Sequence, residues 1–533
     1  MVEPSPLQGL DLPLSLRCVL RRRGFSSTSE AESFLSPGDL PPTRDHFPDL
    51  EQACTRLVKA CRSRERVAIC GDYDADGMTS TALLLRALAP LGAEPEPAIP
   101  SRMEEGYGLN PAMVQRLYDD GVRLLVTVDN GVAAREALEL AASLSMQVIV
   151  TDHHTIPAQR PPMTALIHPA TTPEGSPYRG LAGVGLAYVL AHAVADVLNK
   201  PEAIRVARDL FCIGTVADMA PLVGANRSWL LEGLNHLHRS ECKGVQALQR
   251  LAGLGERPLT AEDIGFQLAP RINAVGRLGE PRLVVDLLAA DDPDSAMALA
   301  RRCDDYNRQR RDLCDAIEAE AVALVEAESS DALPSFLLLA QSHWHHGVIG
   351  IVAARLMERY HRPTALLAGD GDGSLRASVR GPIGFAVDRA LSNCSDLLTR
   401  FGGLRSESVD RCNWRGHDPP RNRWVPVPKL GDCHLHHRPE ERWGGDSAPS
   451  AAQQQCQSPR GASGFALTAG MRGERHWTPL PPAPRPPLQS RRRDPVAGGC
   501  NHHNGVRGPW LNRDRQPRAD PPQASVPQGG PLH

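Results

Sequence analysis

Four motifs of this chain place carboxylate or imidazole side chains directly after an apolar run. They are Gly71-Asp72-Tyr73-Asp74-Ala75-Asp76-Gly77, Val128-Asp129-Asn130-Gly131, Thr151-Asp152-His153-His154 and Gly214-Thr215-Val216-Ala217-Asp218. Carboxylates that converge on one point repel each other unless cations lie between them. If the four motifs meet at one edge of a parallel sheet, they support the chemistry of a two-metal hydrolytic centre.

The carboxylates are the first candidate metal ligands. Asp72, Asp74 and Asp76 alternate along what we expect to be an extended loop, so they project to one side of it. Asp129 ends a strongly apolar strand and is a candidate bridging ligand, and Asp218 completes the donor set. Such oxygen donors suit hard cations. Each of these residues also has an ordinary alternative, as an acidic turn, a strand-end turn or a helix cap.

Two adjacent imidazoles follow the strand that ends at Thr151. His153 and His154 point in different directions, so we expect one to bind a metal and the other to contact a phosphate or transfer a proton. Asp152 can orient one of these imidazoles as a hydrogen-bond partner that does not itself bind the metal. A plain polar loop is the alternative interpretation. Carboxylates with a single imidazole favour two Mn²⁺ or Mg²⁺ ions over zinc.

Arginines in three other segments are candidate contacts for a phosphate substrate. The guanidinium fork matches phosphate oxygens, although an arginine taken alone is more often a surface charge. The candidates are Arg102 in a glycine-containing loop, Arg271 and Arg277 flanking Asn273 in a second loop, and Ser374 with Arg376 on one side of a short strand.

Alternating strands and helices must position these groups. From residue 51, predicted strands at 66–70, 96–99, 124–128 and 147–151 alternate with helices, which indicates an α/β fold with a parallel sheet. Ligands of such sheets bind beyond the carboxyl ends of the strands. A long charged helix is predicted over 294–327, and a second, smaller α/β unit begins at residue 335. Its last predicted helix spans 382–400.

These patterns divide the chain into five parts. We predict an N-terminal extension over 1–50, a catalytic domain over 51–230, a helical connector over 231–330, a partial second domain over 331–403 and a disordered tail over 404–533. The tail carries 19 Lys and Arg against 11 Asp and Glu, which leaves a formal charge of −11 on residues 1–403. An acidic body fits a protein that holds cations.

Composition also excludes several classes of protein. The 13 cysteines form no Cys-x-x-Cys pair, which argues against a zinc site or a disulfide framework and favours a reducing cytoplasm. No signal peptide and no apolar run of about eighteen residues is evident, so we expect no membrane span. We expect a cytoplasmic monomer.

The motifs taken together resemble those of the DHH phosphoesterases. Three further segments resemble the RecJ branch of bacterial exonucleases specific for single-stranded DNA: Glu105-Gly106-Tyr107-Gly108, Pro270-Arg271-Ile272-Asn273-Ala274-Val275-Gly276-Arg277 and Trp344-His345-His346-Gly347-Val348-Ile349-Gly350. The likeness covers about residues 50–403.

The resemblance implies a function and a set of roles. The function is 5′→3′ exonuclease hydrolysis of single-stranded DNA in repair and recombination, with a single-strand-binding protein and a helicase as partners. It implies that the metal ligands are Asp74, Asp76, Asp129, His153 and Asp218, with Asp129 bridging the two ions. His154 would lie near the scissile phosphate. Arg102, Ser374 and Arg376 would form a pocket for the 5′-phosphate. Relatives often carry a histidine at the position of Cys70, which we do not expect to bind metal.

The resemblance stops after Gly403. The family continues Gly-Gly-His into Ala-Ala-Gly, whereas this chain continues Leu404-Arg405-Ser406, without the motif histidine, the rest of that domain or the OB-fold that would grip DNA. Three alternatives therefore stay open: a small-substrate DHH phosphoesterase acting on short oligonucleotides or cyclic dinucleotides, a catalytically silent scaffold, or an inactive truncated product.

The composition of the tail suggests a specific origin. Residues 404–533 contain no Ile, no Tyr, eighteen Arg to one Lys and twenty of the 47 prolines, which is what a shifted reading frame of a GC-rich gene yields. Resequencing the gene across the codons for residues 402–405 is expected to reveal the shift. An intact reading frame there would leave a divergent, disordered tail as the explanation.

Overall fold

The computed structural model describes residues 7, 9–100, 107–328, 333–369, 375–402 and 410–414. It confirms the predicted α/β class. Within the described residues one all-parallel sheet and one mixed sheet carry the two α/β units. The candidate residues Arg102 and Ser374 lie outside the described residues.

The first sheet brings the motif-bearing strands side by side. Its strands are all parallel and run in the order β2-β1-β3-β4-β5, with bounds β1 Arg66–Cys70, β2 Glu94–Ala98, β3 Leu124–Val128, β4 Gln147–Thr151 and β5 Ala165–Ile167. The central strand β3 is buried throughout, as a sheet covered on both faces requires. Strand β2 carries Pro95 and Pro97 and lies at the edge, where a missing N–H is tolerated.

Helices cover both faces of this sheet. The larger core lies under α3 Leu50–Ser63, α4 Ala75–Leu91 and α7 Gly183–Leu198, and a second core lies under α5 Pro111–Asp119 and α6 Arg135–Ser143. Leu84 and Val126 belong to the first core, whereas Met113 and Leu125 belong to the second. Successive β3 residues thus point to opposite faces, as the strand period demands.

The predicted connector is built largely onto the same core. Helix α8 Ala207–Ala217 still belongs to the predicted catalytic domain. The helices that follow are α9 Gly224–Leu237, α10 Lys243–Leu251, the single turn α11 Ala261–Asp263, a π-helical turn Ile264–Leu268, α12 Ala269–Leu278, α13 Arg282–Ala289 and α14 Pro293–Glu328. The predicted domain boundary at residue 230 falls inside α9. The long helix α14, with 36 residues, closely matches the predicted one.

One segment of this region differs from its prediction. Residues 271–277, which we expected in a loop, form most of α12. The glycine that suggested a loop, Gly276, is buried in the helix because it faces the backbone of the first motif. A Cβ atom on Gly276 would lie 1.7 Å from the carbonyl oxygen of Tyr73.

The N-terminal extension packs onto the catalytic domain. It contains α1 Leu14–Arg22 and α2 Thr28–Leu35, which share a small apolar cluster. Asp49 accepts a hydrogen bond from the backbone N–H of Leu166, at 2.9 Å. The hydroxyl of Tyr178 donates to the carbonyl of Pro41. The start of the chain is therefore tied to the catalytic core.

The second sheet is mixed. Its order is β6-β7-β8-β10-β9, with bounds β6 Leu337–Gln341, β7 Thr364–Gly369, β8 Leu375–Arg380, β9 Leu398–Gly402 and β10 Asp410–Trp414, and it carries α15 Ile349–Tyr360 and α16 Val387–Ser392. The prediction of one helix over 382–400 is wrong: only α16 is α-helical there, a 3₁₀ turn follows at Ser395–Leu397, and residues 398–402 pair as β9 with β10. The described stretch of the predicted tail is a strand, which its composition did not predict.

Among the described residues, none of the helices combines the length and apolar character needed to cross a bilayer.

The contact at Gly276 yields a prediction for stability. Gly276→Ala is expected to lower the free energy of unfolding by about 1–3 kcal/mol, since α12 must move away from Tyr73 to admit the methyl group. Urea unfolding measures this. Gly255→Ala is the matched control, because a Cβ there meets nothing within 4 Å. Equal stability of the two variants would contradict the close packing of α12 on the first motif.

Candidate metal centre

Three of the four motifs leave neighbouring strands at the same edge of the sheet. The loop with Asp72 and Asp74 follows β1, Asp129 follows β3, and Asp152 follows β4. Because β1, β3 and β4 are adjacent and parallel, their carboxyl ends meet. The structure thus brings together side chains that are far apart in the chain.

The fourth motif reaches the same place from a helix. Asp218 is the residue that ends α8, so the expectation that it lies at the sheet edge is corrected. Helix α8 packs closely on α4 and α7, and a Cβ on Gly214 would lie 2.4 Å from Oγ1 of Thr79 and 2.8 Å from Cγ1 of Val184. Glycine at this position lets the end of α8 approach the first motif.

The donor atoms gather into three overlapping groups. Nε2 of His153 lies 2.9 Å from Oδ1 of Asp129 and 4.0 Å from Oδ2 of Asp76. Within each group all donor atoms lie within 4.8 Å of one another; the groups are Asp76, His153 and Asp218; Asp72, Asp74 and Asp129; and Asp129, His153 and His154. All five predicted ligands are included, and Asp129 and His153 each belong to two of the groups.

The carboxylates are held by backbone N–H groups. Asp74 is the N-cap of α4 and accepts from the N–H of Asp76 and Gly77, at 2.9 and 3.1 Å. Asp76 lies in the first turn of α4 and not in an extended loop. Its two oxygens accept from the N–H of Gly183 and Val184, at 2.7 and 2.8 Å, at the start of α7. Two helix N-termini therefore stabilise these anions.

The electrostatics of the cluster favour a bound cation. Burial, then the charge of Asp74, raises the pKa of Asp76 to about 7. Burial and the neighbouring Asp76 raise the pKa of Asp129 well above its usual value. Oδ1 of Asp129 is buried and receives no hydrogen bond, although Nε2 of His153 lies 2.9 Å from it. Opposed buried carboxylates with an unmatched oxygen fit divalent cations, which supply the missing positive charge.

The two histidines have different environments. Burial lowers the pKa of His153 to about 4, which keeps the imidazole neutral and able to ligate. Burial also disfavours charge on His154, but the hydrogen bond and charge of Asp152 raise its pKa above the ordinary value. Nδ1 of His154 lies 2.7 Å from Oδ1 of Asp152, whose other oxygen accepts from the N–H of Val132 at 2.8 Å.

Two further residues, Tyr107 and His168, support this loop. The Tyr107 hydroxyl donates to the carbonyl of Asp129, at 3.0 Å, and lies 3.3 Å from Nε2 of His154. Since its proton is directed to Asp129, the hydroxyl oxygen is left to accept from His154. His168 is buried; its Nδ1 accepts from the N–H of Ala170, so Nε2–H donates to the carbonyl of His154, at 2.7 Å. The motif Glu105–Gly108 pointed towards Tyr107, whereas no sequence signal marked His168.

The candidate phosphate contacts are distributed over two units. Oδ1 of Asn273 accepts from the N–H of Ala75, at 2.9 Å, between the two ligands of the first motif. Arg277 contacts the carbonyl of Gly347, at 3.4 Å, ahead of α15 in the second unit. Arg271 is mostly buried and pairs with Asp304 at 2.8 Å. Arg376 lies on β8.

Cys70, which aligns with a histidine of related enzymes, takes no part in the cluster. It is fully buried at the end of β1, and burial raises the pKa of its thiol to about 12. A thiol that resists deprotonation is a poor metal ligand.

The raised carboxyl pKa values predict a pH-dependent response to metal. The pKa of Asp76 in the folded state exceeds its ordinary value of 3.8. Protonation of Asp76 therefore stabilises the folded state fully below pH 3.8, and this stabilisation is lost as the pH rises towards about 7. A divalent cation replaces the lost protons. Stabilisation by Mn²⁺ should therefore grow over this interval, reaching about 2.7 kcal/mol at a hundred times Kd.

Thermal unfolding with EDTA or Mn²⁺ from acid to neutral pH measures this response. Asp129→Asn is expected to abolish most of it, whereas the exposed control Asp119→Asn should retain it. A response to Mn²⁺ that is independent of pH, or unchanged in Asp129→Asn, would argue against the assigned ligands.

Comparison with known proteins agrees with this geometry. Residues 66–215 match the family described as DHH family, N-terminal domain. The chain is 37% identical over 388 residues to the single-stranded-DNA-specific exonuclease RecJ of Bacillus subtilis, an alignment that covers 72% of this chain and 48% of that protein. It is 37% identical over 419 residues to the Escherichia coli protein of the same name, covering 74% and 71%.

A solved structure agrees as well. The crystal structure of RecJ from Thermus thermophilus in complex with Mn²⁺ superposes with a TM-score of 0.65 at 33% identity, covering 77% of this chain and 58% of that one. The chain spans about half the length of the Bacillus relative. Given the motifs, the converging donors and these alignments, the chain belongs to the RecJ family of DHH proteins.

Proposed function

We propose that this chain is a metal-dependent 5′→3′ exonuclease that hydrolyses phosphodiester bonds of single-stranded DNA. The observation that carries the proposal is the buried Asp129 carboxylate at the meeting point of two donor groups. The RecJ relatives are named for this activity, and the Thermus structure holds Mn²⁺.

In this proposal five side chains hold two Mn²⁺ or Mg²⁺ ions: Asp74, Asp76, Asp129, His153 and Asp218. Bound divalent cations would activate water and neutralise charge that develops on the phosphate oxygens. The protein supplies the positions. Asp76 is fixed by two backbone N–H groups, and Asn273 accepts from the N–H of Ala75, so the part of the first motif that begins α4 is anchored before substrate arrives.

His154 is proposed to act on the substrate phosphate. Asp152 accepts from Nδ1, and the Tyr107 hydroxyl oxygen is placed to accept from Nε2. Both ring nitrogens can therefore carry protons, in accord with the raised pKa. An imidazolium at this position can donate a hydrogen bond to a phosphate oxygen and favours the extra negative charge of the transition state.

The polarity of cleavage is proposed to come from the second unit. We propose that Arg376, with Arg102 and Ser374, receives the 5′-phosphate, and that Arg277 contributes on the facing side of the cleft. In support, Arg277 contacts Gly347 ahead of α15, and a Cβ on Gly350 in that helix would lie 2.9 Å from Oγ of Ser378, two residues beyond Arg376. Arg271 forms an ion pair with Asp304, which holds α12, the helix that carries Arg277, against α14.

We further propose that the enzyme works as a monomer in the cytoplasm, on strands supplied by a helicase and covered by a single-strand-binding protein. The nine cysteines of the described part of the chain are free thiols, which fits a reducing compartment.

The proposal is tested with a 5′-phosphorylated single strand and its duplex. In Mn²⁺ the wild-type chain is expected to release nucleotides from the 5′ end of the single strand only. Asp129→Asn should lower the rate at least about a hundred-fold, because the cations lose their shared ligand. Asp119→Asn is the matched control and should cleave like the wild type.

The same assay separates the alternatives. Hydrolysis confined to dinucleotides or cyclic dinucleotides would replace the proposal with a small-substrate phosphoesterase. Release from the 3′ end would overturn the assigned polarity. A folded chain that binds Mn²⁺ but cleaves none of these substrates would point to a silent or truncated product.

A further inference from the structure

The loop that carries the two motif histidines leaves the sheet at Asp152. Among the described residues, the last backbone hydrogen bond between this loop and β5 runs from the N–H of Asp152 to the carbonyl of Ile167, at 3.3 Å. The paired register of β4 and β5 has ended by then, at Thr151 and Ile167. A fixed position for His154 therefore depends on side chains.

Asp152 and Tyr107 hold the ring and the N–H group of His154. Oδ1 of Asp152 accepts from the backbone N–H of His154 at 3.0 Å and lies 2.7 Å from Nδ1 of the ring. The Tyr107 hydroxyl lies 3.3 Å from Nε2 of the same ring. These contacts leave the carbonyl group of His154 to a partner from outside the motifs.

That partner is His168, which directly follows β5 and is only 3% exposed. Its Nε2 lies 2.7 Å from the carbonyl oxygen of His154. Its Nδ1 accepts from the N–H of Ala170, at 3.0 Å, and so caps the 3₁₀ turn Pro169–Thr171. The imidazole therefore spans the space between this turn and the loop of His154.

The hydrogen bonds fix the tautomer of His168. Burial lowers the pKa of His168, which favours the neutral ring. A neutral imidazole carries a single N–H, and Nδ1 is occupied as an acceptor, so the proton lies on Nε2 and is directed at His154. Capping a turn does not need an imidazole, since the shorter Ser, Asn and Asp serve at most helix N-termini. The contact of the far nitrogen with His154 is therefore a separate role.

We propose that His168 is a positioning residue for cleavage, which holds the backbone of His154 and thereby keeps the His154 ring at the scissile phosphate. The inference rests on the proposed function, in which His154 donates to a phosphate oxygen. His168 itself touches neither the substrate nor the ions. It restricts the loop before substrate arrives, and a misplacement of about 1 Å in such a group can cost about a hundred-fold in rate.

The first test removes both ring nitrogens and keeps a flat side chain. His168→Phe is expected to lower kcat for a 5′-phosphorylated single strand roughly ten- to hundred-fold, whereas KM for the strand should change by less than about twofold. Stabilisation by Mn²⁺ in thermal unfolding should be retained, because His168 contacts His154, which is not one of the five proposed ligands. His168→Gln, whose amide can still donate to His154, should recover part of the lost kcat.

A double-variant cycle shows whether His168 acts through His154. His154→Gln removes the ring that His168 is proposed to position. In that background His168→Phe should lower the single-turnover rate by no more than about twofold, because residues that act as a unit are not additive. His46→Phe is the matched control and should cleave like the wild type. His46 is a half-buried histidine whose Nδ1 lies 2.8 Å from Oγ of Ser176.

Hydrogen exchange tests the positioning without relying on activity. The N–H of His154, which donates to Asp152, is expected to exchange roughly two- to tenfold faster in His168→Phe, the effect of losing one hydrogen bond from the loop. In His46→Phe its exchange should be unchanged. Unchanged exchange in His168→Phe would overturn the proposal whether or not the chain cleaves DNA.

Four kinetic or binding outcomes would also overturn it: His168→Phe cleaving within twofold of the wild type, loss of Mn²⁺ stabilisation in that variant, no recovery with His168→Gln, or a full further loss in the His154→Gln background. The proposed function is judged separately. A wild-type chain that leaves the single strand intact refutes the nuclease assignment, whereas normal wild-type cleavage with an additive cycle refutes the role of His168 alone.

Discussion

Like-charge repulsion among buried carboxylates is the constraint on which this structure depends. Asp76 and Asp129 are each 1% exposed and face each other across the carboxyl edge of the sheet. In water such groups would separate, but the parallel order β1-β3-β4 holds their backbones together. Hydrogen bonds from the start of α7 offset part of the cost for Asp76. The negative charge that these hydrogen bonds do not offset is stabilised mainly by bound cations.

Close backbone packing is the means by which the fold accepts this arrangement. A Cβ on Gly183 would lie 2.5 Å from Cβ of Asp129, and one on Gly276 would meet the carbonyl of Tyr73. Both glycines lie in helices, where the absent side chain lets a helix approach a motif loop. The metal centre is thus enclosed by helices that come from widely separated parts of the chain.

The two α/β units therefore have different roles. The first unit carries the candidate ligands, the histidines and the buried hydrogen-bond network that fixes them. The second unit is joined to it through the long helix α14 and through the contact of Arg277 with Gly347. Glu320 of α14 also accepts from Nε1 of Trp344, at 2.8 Å, which ties the long helix to the start of the second unit. The site for chemistry and the surface proposed to read the strand end are therefore separate but mechanically connected.

Local chemistry along the chain was enough to predict the class of fold and most of the donor set. Apolar runs that end in Asp or His identify the carboxyl ends of parallel strands, and their adjacency follows from the alternation of strands and helices. The resemblance to a known family then assigned roles among the donors. Neither kind of reasoning required coordinates.

Tertiary packing decided the rest. Asp218 comes from the end of a helix, and residues 271–277 form a helix whose buried Gly276 packs on Tyr73. The segment 382–400 keeps only the six residues of α16 as α-helix, and its end pairs as a strand with β10, which a local period cannot foresee. The contact of His168 with the loop was likewise invisible in the sequence, since a histidine is recognised as a loop support only when its neighbours in space are known.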